Sequence, residues 1–217
     1  MSFAKEAWPF VLPFLLLGAI LALTGRRGPA IAVLVAGFLV LLFFRDPARR
    51  FDGGDGIVLA PADGLVTAVE EVVDESIGPG PYLRVVTFLS VFDVHVQRCP
   101  VSGKVVHSEL TRGLKLAAFR DDIADKNERH SNVIVRPNGD RIGVRQLAGL
   151  LARRVVSYIG SGDDVQRGQL LGVIKFGSRV DLYVPASYRV LVKKGDRVKN
   201  GATPMAEAPA ADPGTGG

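Results

Sequence analysis

Two small residues, Gly177 and Ser178, interrupt the apolar segment LGVIKFGSRVDLYVP at residues 171–185. The apolar run is typical of a buried β-strand, and a glycine inside such a strand marks a bulge or a close backbone approach. Because no side chain shields a glycine carbonyl, the hydroxyl of a following serine can attack it when a base is near. The ester formed can eliminate to dehydroalanine, which water converts to a pyruvoyl group and ammonia. On the dipeptide alone, a plain structural bulge or turn is the favoured explanation.

A histidine and an acid elsewhere in the chain could support that attack. His95 lies among apolar residues in FLSVFDVHVQRCPVSGKV at 88–105, and Asp63 lies in APADGLV at 60–66. A carboxylate, an imidazole and a hydroxyl together form the arrangement in which an oriented histidine activates a serine. Taken singly, His95 is more typical of a satisfied core histidine, and Asp63 of an Asx turn. Cys99 is expected to be a small buried hydrophobe rather than a nucleophile.

The first 50 residues differ in composition from the rest and favour a membrane anchor. Residues 7–25 and 30–44 are uncharged and apolar, and RRGP at 26–29 separates them. A spanning helix needs about 20 apolar residues, so the first run fits and the second is marginal. We predict an uncleaved helical hairpin, with a pair of re-entrant or interfacial helices as the alternative. The second run and the lack of a small-residue cleavage site disfavour a signal peptide.

Charge and cysteine content limit the classes of function. The 217-residue chain has a formal charge of +5 and one cysteine. Arg45, Arg49 and Arg50 follow the second apolar run and suit anionic lipid headgroups. Positive charge lies at every boundary of the apolar runs, so it predicts no orientation. Basic and aromatic residues are not interleaved, so we predict no nucleic-acid partner. One cysteine and three histidines cannot build a zinc cluster, and no metal is predicted.

The rest of the chain reads as β structure. From residue 57 onward, short runs of β-branched residues alternate with Gly, Pro and Asp turns, which is typical of a sandwich or barrel. RPNGDR at 136–141 predicts a hairpin, since Asn-Gly favours the positive φ of its turn. A helix is expected at residues 146–155 and a polar mobile stretch at 115–129.

A weak internal repeat refines the fold class. GDDVQRG at 162–168 and GDRVKNG at 195–201 share the pattern G-D-x-V-x-x-G. Tandem turns of this kind resemble the barrel-sandwich hybrid of lipoyl and biotinyl carriers. A carrier presents its lysine at a hairpin tip between small residues or methionines, and Lys175 in VIKFGS lacks that setting. A non-enzymatic membrane-tethered adaptor of this fold is therefore a weaker alternative.

Three segments are expected. Residues 1–50 form a membrane-associated helical hairpin, and DGGDG at 52–56 marks the boundary after it. Residues 51–205 form a mainly β, barrel-sandwich-hybrid-like domain with few short helices. Residues 206–217 form a tail rich in Pro, Gly and Ala that is expected to be disordered.

Across about residues 43–201, the chain resembles the phosphatidylserine decarboxylase proenzyme family in its short bacterial and archaeal form. IKFGSRVDLYVP is the most specific of the shared motifs. In chain order, the matching motifs are FFRDPARR, APADG, LSVFDVHVQRCPVSG, NERHSNVIV, ARRVV, GDDVQRGQLLGVIKFGSRVDLYVP and KKGDRVKNG.

The resemblance implies an enzyme that makes its own cofactor. The proenzyme would cut itself between Gly177 and Ser178 into chains of 177 and 40 residues. Ser178 would become a covalent pyruvoyl group, the only cofactor expected. The amine of phosphatidylserine would form a Schiff base with that ketone, lose CO₂ and leave as phosphatidylethanolamine. An archaetidylserine decarboxylase, with the same chemistry and another lipid backbone, is the closest alternative.

The resemblance also implies roles for single residues. His95 matches the family's first histidine, and we expect it to donate a proton or to orient the substrate carboxyl. Asp63 is expected to hold the cleavage machinery in its charged arrangement. Arg98 stands where longer members carry a second histidine with a role in self-cleavage, so the cleavage base is open. Arg98 could bind a headgroup phosphate or carboxylate, but a plain surface arginine is the favoured alternative. His130 and His107 are expected to have no catalytic role.

The expected partners are phosphatidylserine in the membrane and, after cleavage, the two chains 1–177 and 178–217 as a heterodimer, with higher assembly left open. The family implies a cell-membrane enzyme whose catalytic domain faces the cytoplasm.

Overall fold

The computed structural model describes residues 2–113, 127–149, 155–174 and 178–209. Its first two long elements are helices, α1 (Trp8–Leu23) and α2 (Arg27–Phe43), joined by a short turn at Thr24–Gly25. The helices pack against each other closely, because a side chain at Gly18 would overlap Leu34. With the short 3-10 turn before it, α1 gives a 19-residue stretch that is long and apolar enough to cross a membrane.

The outward faces of both helices are apolar and uncovered, as expected for a hairpin surrounded by lipid. The helix α2 is shorter, at 17 residues, in line with the marginal second run of the sequence. The exposed apolar side chains of the pair are Trp8, Leu12, Leu15, Leu16, Leu17, Ile20, Leu23, Ile31, Leu34, Val35, Phe38 and Leu39.

Short strands make up most of the remaining described residues, so the prediction of a mainly β domain after a helical hairpin is confirmed. The strands are β1 (Ser2–Phe3), β2 (Arg45–Asp46), β3 (Ile57–Leu59), β4 (Gly64–Val73), β5 (Pro81–Leu89), β6 (Val96–Arg98), β7 (Gly103–Thr111), β8 (Arg129–Val135), β9 (Arg141–Ala148), β10 (Val155–Ser157), β11 (Asp164–Val165), β12 (Leu170–Ile174), β13 (Ser178–Pro185), β14 (Arg189–Val190), β15 (Arg197–Val198) and β16 (Pro204–Glu207).

One large antiparallel sheet organises the domain. Its order is β11-β7-β8-β9-β13-β5-β4-β15, and the smaller sheets β10-β12-β6, β14-β16-β3 and β1-β2 accompany it. Strand β13 is central, with β9 on one side and β5 on the other. Its residues alternate, so that Val180, Leu182 and Val184 enter the main apolar core while Arg179 and Asp181 occupy the opposite face.

The internal repeat places equivalent strands at the two edges of this sheet. Strand β11 pairs with β7 at Gly103, and β15 pairs with β4 at Gly64. A Cβ at either glycine would lie 2.2 Å from a backbone oxygen of the neighbouring strand, so both positions require glycine. Each G-D-x-V-x-x-G repeat therefore forms the same kind of turn and edge strand, one at each edge of the sheet.

The hairpin base packs directly on the β domain. Strand β1 pairs with β2, and the Ala4 N–H donates to the Phe44 carbonyl at 2.9 Å. Phe43, the last residue of α2, and Phe44 after it belong to an apolar cluster with Val94, Val96 of β6 and Val173 of β12. The membrane-type segment and the β domain therefore share a core.

Two local expectations are wrong. Residues 171–185 do not form one interrupted strand, because β12 and β13 lie in different sheets and Ser178 begins the second. The expected helix at 146–155 is wrong at both of its described ends, since Gln146 belongs to β9, which ends at Ala148, and Val155 begins β10. The hairpin predicted from RPNGDR is confirmed between β8 and β9. Most of the stretch 115–129 and most of the tail lie outside the described residues.

Candidate active site

Ser178 occupies the start of the central strand, where three strand ends meet. It lies opposite Leu89 at the end of β5 and Ala148 at the end of β9. The side chain is fully buried, and its Oγ has no hydrogen-bond partner among the described residues. A buried hydroxyl without a partner costs free energy and is rare in a folded core. Gly177, the other half of the expected cleavage site, lies outside the described residues.

A tight turn connects this strand end to the expected histidine. After Leu89 the chain turns at Ser90, whose carbonyl accepts the Asp93 N–H at 3.0 Å. The Asp93 carboxylate accepts in return from the Ser90 N–H and hydroxyl, at 2.8 and 2.7 Å. His95 follows two residues later, so the turn fixes its position relative to the strand end.

His95 is fully buried and held in one tautomer. Its Nδ1 lies 2.9 Å from the Asp93 carbonyl oxygen, which can only accept, so Nδ1 carries the proton. Its Nε2 has no partner among the described residues. The ring packs on Phe43 of α2, with centroids 4.0 Å apart. Burial lowers the pKa of His95 to about 4, so the ring is neutral near pH 7 and Nε2 presents a lone pair.

His95 and Ser178 lie in one region of the fold. The Ile174 N–H, at the end of β12, donates to the His95 carbonyl at 3.3 Å. Ser178 follows Ile174 by four residues, a path of at most about 14 Å in extended chain. Ser178 and His95 are thus linked through the end of β12 and through the turn that follows Leu89, the residue opposite Ser178.

Asp63 lies beside this region but is not bonded to His95. Its carboxylate accepts from Arg49 Nη2 and from the Asn200 N–H, each at 2.8 Å. Burial raises the pKa of Asp63, while the Asn200 N–H and the Arg49 guanidinium oppose that rise. Asn200 also donates through Nδ2 to the Val96 carbonyl at 2.9 Å. Asp63 is thus linked through Asn200 to β6, the strand that follows His95. The partner of the His95 Nδ1 is the Asp93 backbone carbonyl and not the Asp63 carboxylate, which the arrangement of acid, histidine and serine would require.

Arg98 links the β domain to the hairpin. Its Nη2 lies 2.5 Å from Asp46, and its Nη1 donates to the Gly168 carbonyl at 2.7 Å. Both end nitrogens have protein partners, so a lipid headgroup would have to displace one of them. Cys99 is buried, and burial raises the pKa of its thiol to about 12, as a structural hydrophobe requires.

Two buried amides near the site, Gln97 and Gln146, were not predicted from the sequence, and a third, Asn132 on β8, lies opposite Val144 and away from Ser178. Gln146 Nε2 donates to Gln97 Oε1 at 2.9 Å, and Gln97 Nε2 donates to the His95 carbonyl at 2.7 Å. Gln146 Oε1 and Asn132 Nδ2 have no partner among the described residues. Gln146 is two residues from Ala148 on the same face of β9, which makes it a diagonal neighbour of Ser178. The only sequence signal was a glutamine inside an apolar strand.

The other two histidines lie elsewhere. His130 Nε2 contacts the Ser108 hydroxyl at 2.9 Å, and the same hydroxyl donates to Asn132 at 2.8 Å. Burial lowers the pKa of His130. His107 is exposed and lies 3.5 Å from Glu109. Over the described part of the chain, no three His, Cys, Asp or Glu side chains converge as a metal site would require.

The site contains the unpartnered hydroxyl of Ser178, the neutral imidazole of His95 and the buried amide of Gln146. Buried polar atoms without partners need an explanation, and three of the seven among the described residues, on Ser178, His95 and Gln146, belong to this region. The arrangement suits attack by the Ser178 Oγ, proton acceptance at His95 Nε2, and binding of a small polar group by the amide.

Comparison with known proteins gives one consistent result. Residues 37–206 match the family model described as phosphatidylserine decarboxylase. A phosphatidylserine decarboxylase proenzyme of Symbiobacterium thermophilum is 44% identical over 208 residues, covering 95% of each chain. The proenzyme of Saccharopolyspora erythraea is 45% identical over 201 residues, covering 90% of this chain and 85% of its own. That of Burkholderia ambifaria is 38% identical over 209 residues, covering 94% and 95%.

The buried setting of His95 predicts its titration. In a Ser178→Ala variant, which lacks the reactive hydroxyl, ¹³C-labelled His95 should keep neutral-imidazole chemical shifts until the pH falls to its pKa of about 4. A Phe43→Ala change exposes the ring to water and should raise this pKa toward the ordinary value of about 6.5. NMR titration of the detergent-solubilised chain measures both. A His95 pKa near 6.5 in the parent would contradict the buried, neutral ring.

Proposed function

This chain belongs to the phosphatidylserine decarboxylase family, and we propose that it converts phosphatidylserine to phosphatidylethanolamine and CO₂ after cutting itself. The observation that carries the proposal is the buried, unpartnered hydroxyl of Ser178 at the start of the central strand. It lies within the segment that the family model matches. A serine kept there for structure alone would be expected to have a hydrogen-bond partner.

Self-cleavage occurs between Gly177 and Ser178. The Ser178 Oγ attacks the Gly177 carbonyl, and the amide nitrogen leaves as an amine, which converts the amide to an ester. Loss of the Ser178 Cα proton then breaks the ester C–O bond and releases the Gly177 carboxylate. Water displaces the nitrogen of the dehydroalanine as ammonia. The pyruvoyl group left on residue 178 supplies an electron-accepting carbonyl for the decarboxylation of an amino acid headgroup.

The amides around Ser178 suit the substrate headgroup. Phosphatidylserine presents an ammonium and a carboxylate on one carbon. Gln146 Oε1, on the same face of the sheet as Ser178, can accept from the ammonium. Gln97 holds the Gln146 side chain through its 2.9 Å hydrogen bond. These residues fix the headgroup and exclude bulk water.

His95 acts at Nε2 in a definite order. Nε2 must carry a proton if His95 is to donate one or to hold the substrate carboxylate by a hydrogen bond. The pKa of about 4 means that the resting ring lacks it. His95 therefore accepts a proton first, either from Ser178 Oγ during cleavage or from the reacting headgroup, and returns it later. The Asp93 carbonyl supports the transient imidazolium through Nδ1.

Asp63 holds Asn200 in place, and Asn200 contacts the first residue of β6, directly after His95. Its hydrogen bonds to Arg49 and to the Asn200 N–H join the hairpin side of the molecule to strand β6. Arg98 acts in the same way through Asp46. Both are positioning residues for the site.

The apolar hairpin keeps the enzyme on its lipid substrate. Its uncovered apolar face and the basic residues at its base favour a cell-membrane anchor, and the family implies that the catalytic domain lies on the cytoplasmic side. Cleavage yields a heterodimer of residues 1–177 and 178–217. The two chains stay together because β13, in the second chain, is buried between β9 and β5 of the first.

The first test replaces the reactive hydroxyl. Ser178→Ala cannot form the ester or the pyruvoyl group, so we expect a single uncut band on electrophoresis and no CO₂ from carboxyl-labelled phosphatidylserine. Ser187→Ala, an exposed serine of the same short chain, is the control and should behave as the parent. Release of CO₂ by Ser178→Ala would disprove the pyruvoyl assignment.

The second test removes the buried base. His95→Ala should lower the decarboxylation rate by about 10²-fold or more, the range expected for loss of an acid–base group. His107→Ala, which changes an exposed histidine, should keep the parent rate. Turnover is measured per cleaved chain, so that a defect in cleavage is counted separately. Normal cleavage with normal turnover in His95→Ala would exclude a role for this residue.

A further inference from the structure

A tight turn beside the active site carries two apolar side chains in water. The turn at residues 90–93 joins β5 to the His95 segment, and its two central residues are Val91 and Phe92. Phe92 is 84% exposed and Val91 is 45% exposed. Central turn positions are usually taken by Gly, Pro, Asn, Asp or Ser. A valine and a phenylalanine at these positions are unfavourable in water unless something apolar meets them.

The turn is rigid, so these side chains are held outward. Ser90 and Asp93 close it with three hydrogen bonds of 2.7 to 3.0 Å. Arg197 adds a 2.6 Å ion pair to the second oxygen of the Asp93 carboxylate. A turn braced in this way cannot fold Phe92 back onto the domain without breaking several hydrogen bonds.

The turn is joined to the end of the apolar hairpin. Arg45, just after α2, donates through Nη1 to the Leu42 carbonyl at 2.9 Å and through Nη2 to the Phe92 carbonyl at 2.6 Å. The tip therefore lies at the same level as the last turn of α2. At that level an apolar helix gives way to Arg45, Arg49 and Arg50, as at a bilayer surface.

The tip has basic residues beside it, and the one carboxylate of the turn, Asp93, pairs with Arg197. Arg45 and Arg197 flank the tip, and Arg50 and Lys199 are exposed nearby in the sequence of the same two segments. A surface of exposed apolar side chains ringed by basic ones suits an anionic lipid interface, where the apolar tips enter the acyl boundary and the cations meet phosphates.

We propose that Val91 and Phe92 form a second membrane contact that dips into the headgroup region of an anionic bilayer beside the hairpin. This inference rests on the proposed function, because it assumes that the hairpin lies in a membrane. The same turn positions His95, since the Asp93 carbonyl accepts from its Nδ1. Lipid contact at the tip thus sets the site at headgroup depth, where the substrate's amine and carboxyl lie.

Depth-dependent quenching of tryptophan fluorescence tests the contact. Trp8 is the only tryptophan of the chain, so Trp8→Phe with Phe92→Trp places a single reporter at the tip. The full chain is reconstituted into phosphatidylcholine–phosphatidylglycerol vesicles whose phosphatidylcholine is brominated near the carbonyl end of its acyl chains. We expect the reporter to lose most of its emission there, relative to unbrominated vesicles. Val91→Trp in the same background should respond in the same way.

Val73→Trp in the Trp8→Phe background is the matched control. Val73 is 74% exposed and pairs with Pro81, at the far end of β5, roughly 25 Å from the turn along the strand. Its emission should be unaffected by bromine. The parent chain, with Trp8 near the start of α1, reports whether the hairpin itself is in the bilayer.

The outcomes separate this inference from the proposed function. In one outcome, Trp8 is quenched in the parent and the preparations release CO₂ from phosphatidylserine, but bromine leaves the emission from residues 91 and 92 unchanged. This result overturns the membrane contact of the turn and leaves the proposed function standing. Equal quenching at Val73 also overturns it, because the contact would not be specific to the tip. A parent that releases no CO₂ bears on the proposed function alone.

Discussion

The arrangement of the site depends on β13 being held from both sides. Eight of its residues pair with β5 and six with β9, and each backbone hydrogen bond contributes about 1 kcal/mol net. On the face away from the core, Arg179 forms a bidentate ion pair with the fully buried Asp181, at 2.6 and 2.8 Å. Breaking such a buried pair leaves a charge without a partner, which resists any shift of the strand. If the chain is cut before Ser178 as proposed, these contacts hold residue 178 in the same place before and after cleavage.

A second constraint couples the hairpin to the same place. Phe43 covers the His95 ring, and Arg45 ties the end of α2 to the turn that carries Asp93. Burial of the ring, to which this element of the hairpin contributes, lowers the pKa of His95, so the hairpin affects the titration of this residue as well as its position. The hairpin and the β domain therefore act as one unit at this place.

Much of the fold could be predicted from the sequence, because it depends on local patterns. Two apolar runs predicted the hairpin, and Asn138-Gly139 predicted the turn between β8 and β9. The prediction of a helix is wrong over residues 146–149, because local propensity favours a helix there and long-range pairing of β9 with β13 overrides it. Local patterns also could not show that the chain changes sheets around Gly177-Ser178, because β12 and β13 are assigned to two sheets only by the tertiary structure. The site residues could be named, but the Asp93 carbonyl behind His95 could not, since a backbone partner leaves no trace in residue types.

The account makes its central claim about residue 178, and the intact mass of the purified native chain tests it most directly. We predict two chains, one ending at Gly177 and one of 40 residues, the shorter being lighter by one ammonia than a chain that begins with serine. Mild reduction with borohydride should add two hydrogens to the shorter chain alone. A single uncut chain of 217 residues, or a short chain that begins with a free serine amine, would contradict the account.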